Sequence, residues 1–171
     1  MKKNKYILVL SLIVIMMLVP VFSSCTDTGG RDIDDGKKII ITTIVTIEDL
    51  TRKIAGDQAE TISLIPPGAS PHSFEPSPRD LETAGKADLF VKVGSGIEFE
   101  LQWSEKITGM NNDMEVIDCS RGIKLLHHGE EAGNEHDEQG ADPHIWLSPV
   151  NAKTISQNIY EGLTEIDPEN E

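Results

Sequence analysis

Two histidines, each following a proline, are the residues best placed to do chemistry in this sequence: Pro71-His72 and Pro143-His144. A neutral imidazole is a nitrogen ligand for zinc, manganese and related divalent ions. Each proline fixes its own φ and so restricts how the following ring is presented. Two rings reaching from separate loops can converge on one cation, and stiff loops lower the entropy cost of ordering them. Taken singly, each reads as an ordinary surface histidine. Further candidates lie nearby. His127, His128 and His136 stand among acids and glycines. They can make transient metal contacts, or belong to a solvated loop with no required role. Asp142 can hold an imidazole from behind, or cap a turn. Glu75 can act as ligand, support or general base beside His72, or face solvent.

The remaining motifs offer less. Gly94-Ser95-Gly96 lacks the third glycine and the lysine of a phosphate-binding loop, and reads as a turn after a strand. Trp103 and Trp146 read as packing residues, with Trp146 wedging the second Pro-His segment against a sheet. A zinc hydrolase using two histidines and Glu75 is a competing class, but there is no His-Glu-x-x-His array and no nucleophile paired with a base.

The elements that must position these residues alternate. Residues 39–45 form a β-branched run apolar enough to be buried on both faces. Ile47, Leu50 and Ile54 then recur at helical spacing, and Gly56 stands where that helix should stop. Residues 60–64 predict a second strand and 88–93 a third. Between them Ser77, Pro78 and Asp80 predict a helix start, with the helix running to about residue 86. Residues 98–107 predict a helix and 114–118 a fourth strand. Ser148-Pro149 starts another helix, with Ile155, Ile159 and Leu163 as its apolar stripe. The pattern implies an α/β fold: a parallel four-stranded sheet with helices on both faces. Ligands of such sheets sit beyond the carboxyl ends of the strands, where the loop over residues 71–78 must lie.

Outside the sheet the composition changes. Lys2, Lys3 and Lys5 precede an apolar run over residues 6–22 and then Ser23-Ser24-Cys25. A basic start, an apolar run and a small-residue stop predict a signal peptide over 1–24. Cys25 stands where a lipoprotein-processing site would leave the lipid-attachment residue. Residues 25–37 then predict a flexible, lipid-anchored tether. Residues 127–141 are rich in histidine and acids, almost without apolar side chains, and predict a loop that cannot pack as core. With Cys25 lipidated, Cys119 has no disulfide partner and reads as a small buried residue. The net charge is −14, and removing 1–24 takes away three lysines and no acids, giving −17. Such a chain repels nucleic acid and anionic lipid, which argues against either as partner.

Three stretches carry a family resemblance. Ile65-Pro66-Pro67-Gly68-Ala69-Ser70-Pro71-His72-Ser73-Phe74-Glu75-Pro76-Ser77-Pro78-Arg79-Asp80 resembles the first metal-site motif of the cluster A-I substrate-binding proteins of metal-importing ABC transporters. Ala87-Asp88-Leu89-Phe90 with Gly94-Ser95-Gly96-Ile97-Glu98 follows the same pattern. Asp142-Pro143-His144-Ile145-Trp146-Leu147-Ser148-Pro149-Val150-Asn151-Ala152 resembles the second metal-site motif. The likeness runs from about residue 40 to 170. It implies one lobe of a two-lobed periplasmic-binding-protein fold, a binding protein and not an enzyme, with His72 and His144 as direct ligands. It implies a metal-binding lobe over 38–166, with 167–171 as the start of the interlobe helix and the C-terminal lobe missing. Zinc-type members carry a histidine- and acid-rich insertion just before the second motif, which points to Zn2+ over Mn2+. The implied partners are a divalent ion, the membrane permease of an ABC importer and, through the lipid anchor, the extracytoplasmic face of the membrane. A manganese- or iron-binding member, or a surface adhesin, is the alternative.

Overall fold

The computed structural model describes residues 37–127 and 141–170. The expected signal peptide, Cys25, all of the tether before Lys37, and His128 and His136 lie outside the described residues.

Four strands alternate with helices: β1 (Lys38–Thr42), α1 (Val45–Ala55), β2 (Ala59–Ser63), α2 (Pro78–Ala84), β3 (Leu89–Lys92), α3 (Glu98–Thr108), β4 (Glu115–Asp118) and α4 (Pro149–Ile166). The strands form one parallel sheet in the order β2-β1-β3-β4. The chain therefore moves one way from β1 to β2 and the other way from β2 through β3 to β4. Right-handed crossovers then place α1 on one face and α2 and α3 on the other. Helix α4 packs with α1, so both faces are covered. The order reverses between β1 and β3, which makes their carboxyl ends the switch point of the sheet.

Local signals set the element ends. The central strand β1 is buried from Ile39 to Thr42, as its isoleucine run requires. It is shorter than the expected 39–45: the chain bends at Thr43 and Ile44, and Val45 already begins α1. Gly56 takes φ 57° and its N–H donates to the Arg52 carbonyl, ending α1. Ser77 accepts from the Asp80 N–H while the Asp80 carboxylate accepts from the Ser77 N–H, with Pro78 leading α2. That helix stops at Ala84, two residues short of expectation. Ser148 caps α4 by accepting from the Asn151 N–H. Halfway along α4 the buried Asn158 donates to the carbonyls of Cys119 and Arg121 at 3.0 and 2.9 Å. This fixes α4 to the segment leaving β4. Cys119 is itself buried, and burial pushes its thiol pKa far up.

Gly94, just past β3, needs to be glycine twice over. Its φ is 80°, and a Cβ there would stand 1.8 Å from Asp118 Oδ1. That carboxylate is engaged by the Ser120 N–H and hydroxyl and by Lys92. Gly94→Ala is expected to destabilise the fold by roughly 1–3 kcal/mol from backbone strain alone, with more from displacing Asp118. A lowered midpoint in urea unfolding measures it, and an unchanged midpoint refutes this account of the turn.

Candidate metal site

The site is built from three loops at the carboxyl end of the sheet. The first follows β2. Its opening turn is closed by the Ala69 N–H donating to the Pro66 carbonyl, with Pro67 and Gly68 at the corner and Gly68 at φ 85°. A second turn, closed by the Ser73 N–H on the Ser70 carbonyl, presents His72. Phe74 anchors this loop by packing on Phe99 of α3, with ring centres 5.9 Å apart.

The second loop precedes α4. Asp142 donates its N–H to the Leu126 carbonyl at 2.7 Å. Its carboxylate accepts from the His144 N–H at 2.9 Å and meets the same residue's Nδ1 at 2.8 Å. One aspartate thus fixes both the backbone and the ring of His144. The next residues form a 3-10 turn, Ile145–Leu147, in which Ile145 is buried. Trp146 packs on the core and lies 5.2 Å from the His144 ring.

The third loop, residues 93–98, holds the other two. Glu98, at the start of α3, meets His72 Nδ1 at 2.6 Å. Its own backbone N–H and then the His72 ring hold its carboxyl below the usual value. Ser95, 1% exposed, donates its hydroxyl to the Pro143 carbonyl at 2.5 Å, one residue before His144. The turn itself is pinned by Glu100, a carboxylate only 6% exposed. It accepts from Thr43 Oγ1 at 2.5 Å, the Val93 N–H at 2.6 Å and the Gly94 N–H at 2.8 Å. These donors come from the ends of β1 and β3, so the clamp closes on the switch point.

The two imidazoles meet there. Their ring centres are 5.9 Å apart and the planes are tilted by 50°. Each Nδ1 faces a carboxylate. An Nδ1–H donated to that carboxylate leaves the lone pair on Nε2, where it can accept a proton, a hydrogen bond or a cation. Both side chains remain open, at 46% and 42% exposure.

The other sequence candidates separate from this pair. Glu75 is exposed, and the carboxylate on His72 is Glu98. His127 is exposed and forms an antiparallel bridge with Ala141, so it stands at the base of the histidine- and acid-rich loop. His128 and His136 lie outside the described residues. Among the described residues no three His, Cys, Asp or Glu side chains converge as a metal cage. Glu98 and Glu100 were not singled out from sequence. An acid in the first turn of a helix after a Gly-Ser-Gly turn is the only local signal for either.

Burial raises the pKa of Glu100, outweighing the hydrogen bonds from Thr43, Gly94 and Val93 that lower it. A raised native value adds stability below the unfolded value near 4.5 and loses it as pH rises through the native one. Glu100→Gln turns an amide NH2 toward donors and is expected to cost roughly 1–3 kcal/mol. Because the variant lacks the titration, the gap to the parent should narrow between pH 5 and pH 8 in urea unfolding. A gap that widens contradicts this.

Comparison with known proteins places the geometry in context. The family model for zinc-uptake complex component A, periplasmic, matches residues 40–171. ZnuA of Bacillus subtilis, a high-affinity zinc uptake system protein, is 32% identical over 163 residues, covering 90% of this chain and 50% of that protein. MntA of Halalkalibacterium halodurans, a manganese-binding lipoprotein, is 30% identical over 158 residues, covering 91% and 49%. A crystal structure of ZnuA superposes with a TM-score of 0.69 at 34% identity, over 78% of this chain and 49% of that one. The chain spans about half the length of the curated relatives it matches.

Proposed function

The chain belongs to the zinc-uptake component A family, solute-binding proteins of metal ABC transporters rather than enzymes, and on that premise we propose that it captures zinc through His72 and His144. The observation that carries this reading is the pair of carboxylate-backed imidazoles with ring centres 5.9 Å apart. Two rings bound to one zinc through bonds of about 2.0–2.1 Å stand with their centres about 5 Å apart. Small side-chain rotations close the difference. The Nδ1 partners Glu98 and Asp142 set the ring orientation and raise the basicity of Nε2.

In this reading the lobe spans residues 38–166 and the captured ion passes to the membrane permease of an ABC importer. Residues 1–24 act as a signal peptide and Cys25 carries the lipid that tethers the lobe outside the membrane. The 127–141 loop, with His127, His128 and His136, collects zinc loosely beside the main pair. The manganese-binding relative is nearly as similar as the zinc one. Imidazole accepts either ion, so Mn2+ is the competing cargo.

Zinc titrated calorimetrically into the chain should bind, with His72→Ala and His144→Ala each abolishing the strong heat. Glu98→Gln and Asp142→Asn should weaken binding about 10–100-fold, the usual effect of removing a carboxylate behind a ligand imidazole. Binding unchanged in both histidine variants would remove the site. Displacement of bound zinc by equimolar Mn2+ would reverse the choice of metal.

A further inference from the structure

The segment from Gly94 to Glu98 joins β3 to α3 and touches both histidine segments: Glu98 meets His72 Nδ1, and Ser95 donates its hydroxyl to the Pro143 carbonyl. The glycines on either side of Ser95 take φ 80° and 93°, a conformation that favours residues without a Cβ. Between them Ser95 is buried, and a buried hydroxyl is costly unless it is paired. Its partner lies 48 positions away. The same Pro143 carbonyl accepts the Ile145 N–H at 2.9 Å, so the turn and the segment after His144 meet on one oxygen. Ser95 is itself held in place through its neighbour. The Gly94 N–H donates to Glu100 at 2.8 Å. On the other side, the Ser120 hydroxyl sits between the Gly94 carbonyl at 3.0 Å and the Asp118 carboxylate at 2.6 Å.

Two rings share an ion only if the distance between them is right as well as the aim of each. Asp142 aims the His144 ring from two residues away, and Glu98 aims the His72 ring. A contact as local as that of Asp142 cannot set how far its loop stands from the other. The Ser95 bond can, because it ties the backbone one residue before His144 to the turn that carries Glu98. Resting on the zinc reading above, we propose that Ser95 is a positioning residue for the metal site, its hydroxyl fixing the spacing of the two imidazoles. Alanine there leaves both carboxylates behind their rings but frees the His144 loop to drift. The ion must then order that loop as it binds, and the cost appears as lost affinity.

The test joins zinc affinity, measured on the full chain in competition with a coloured chelator, to proton NMR of the histidine rings without metal. Ser95→Ala is expected to weaken zinc binding about 3–10-fold, the scale of ordering one more mobile group. In the metal-free chain it should shift the His144 ring signals and leave those of His72 nearly in place, whereas Glu98→Gln should do the reverse. A general loosening of the fold would move both rings together. Ser95→Cys keeps the volume of the side chain with a much weaker donor, and should reproduce both effects where the alanine variant is too unstable to study. Zinc affinity equal to the parent in a folded Ser95 variant, or ring signals that move together, would overturn the positioning role and leave the histidine pair as a site. A parent chain that binds no zinc would sink the pair and the role of Ser95 with it.

Discussion

One buried carboxylate organises the working end of this molecule. Glu100 sits where β1 and β3 end and accepts from Thr43, Val93 and Gly94. A buried acceptor with three donors is strongly directional, because leaving any donor unpaired away from water costs more than the bond is worth. The first turn of α3 therefore has one position relative to the sheet. Glu98 and Ser95 inherit that position, and through them so do the His72 ring and the Pro143 carbonyl. Each is referred to the same turn.

That arrangement explains how loops can present two imidazoles with little freedom. His72 and His144 lie far apart in sequence, on segments without regular structure of their own. Ordering such segments only when an ion arrives would weaken binding. Here Phe74 on Phe99, Ile145 in the core and Asn158 on the segment after β4 order them in advance. The exposed rings are consequently the ends of a rigid assembly, each aimed by a carboxylate.

Much of the fold was legible because its signals are local. Ser77, Pro78 and Asp80 occupy adjacent turns of one helix start, and their side chains satisfy each other's backbone there. Gly56, Ser148 and the isoleucines of β1 act over similarly short range. The two Pro-His segments were legible as well, by residue type and by resemblance to known motifs. The carboxylates behind the site were only half legible. Asp142 is two residues from the ring it holds, whereas Glu98 reaches His72 across 26 positions and Glu100 reaches Thr43 across 57. Nothing in the spacing of the acids distinguishes these two from the many solvated ones, or from Glu75, which lies closer to His72 in sequence. Only the crossing of β3 beside β1 brings them into place. The 3-10 turn after His144 escaped for a related reason. Its three residues, Ile-Trp-Leu, carry no period and take their shape from Ile145 being drawn into the core.

The strand order has a consequence for how the chain reaches this state. Every pairing in the sheet is parallel, so no two strands are joined by a hairpin. The innermost contact, Ile40 beside Leu89, can form only after the intervening strand and helices have been looped out. Loop-closure entropy is thus spent before the sheet returns any energy, and chains of this kind fold slowly for their size. The newly made polypeptide remains extended longer than a hairpin-rich chain of equal length would, with the isoleucines of its central strand uncovered throughout that interval.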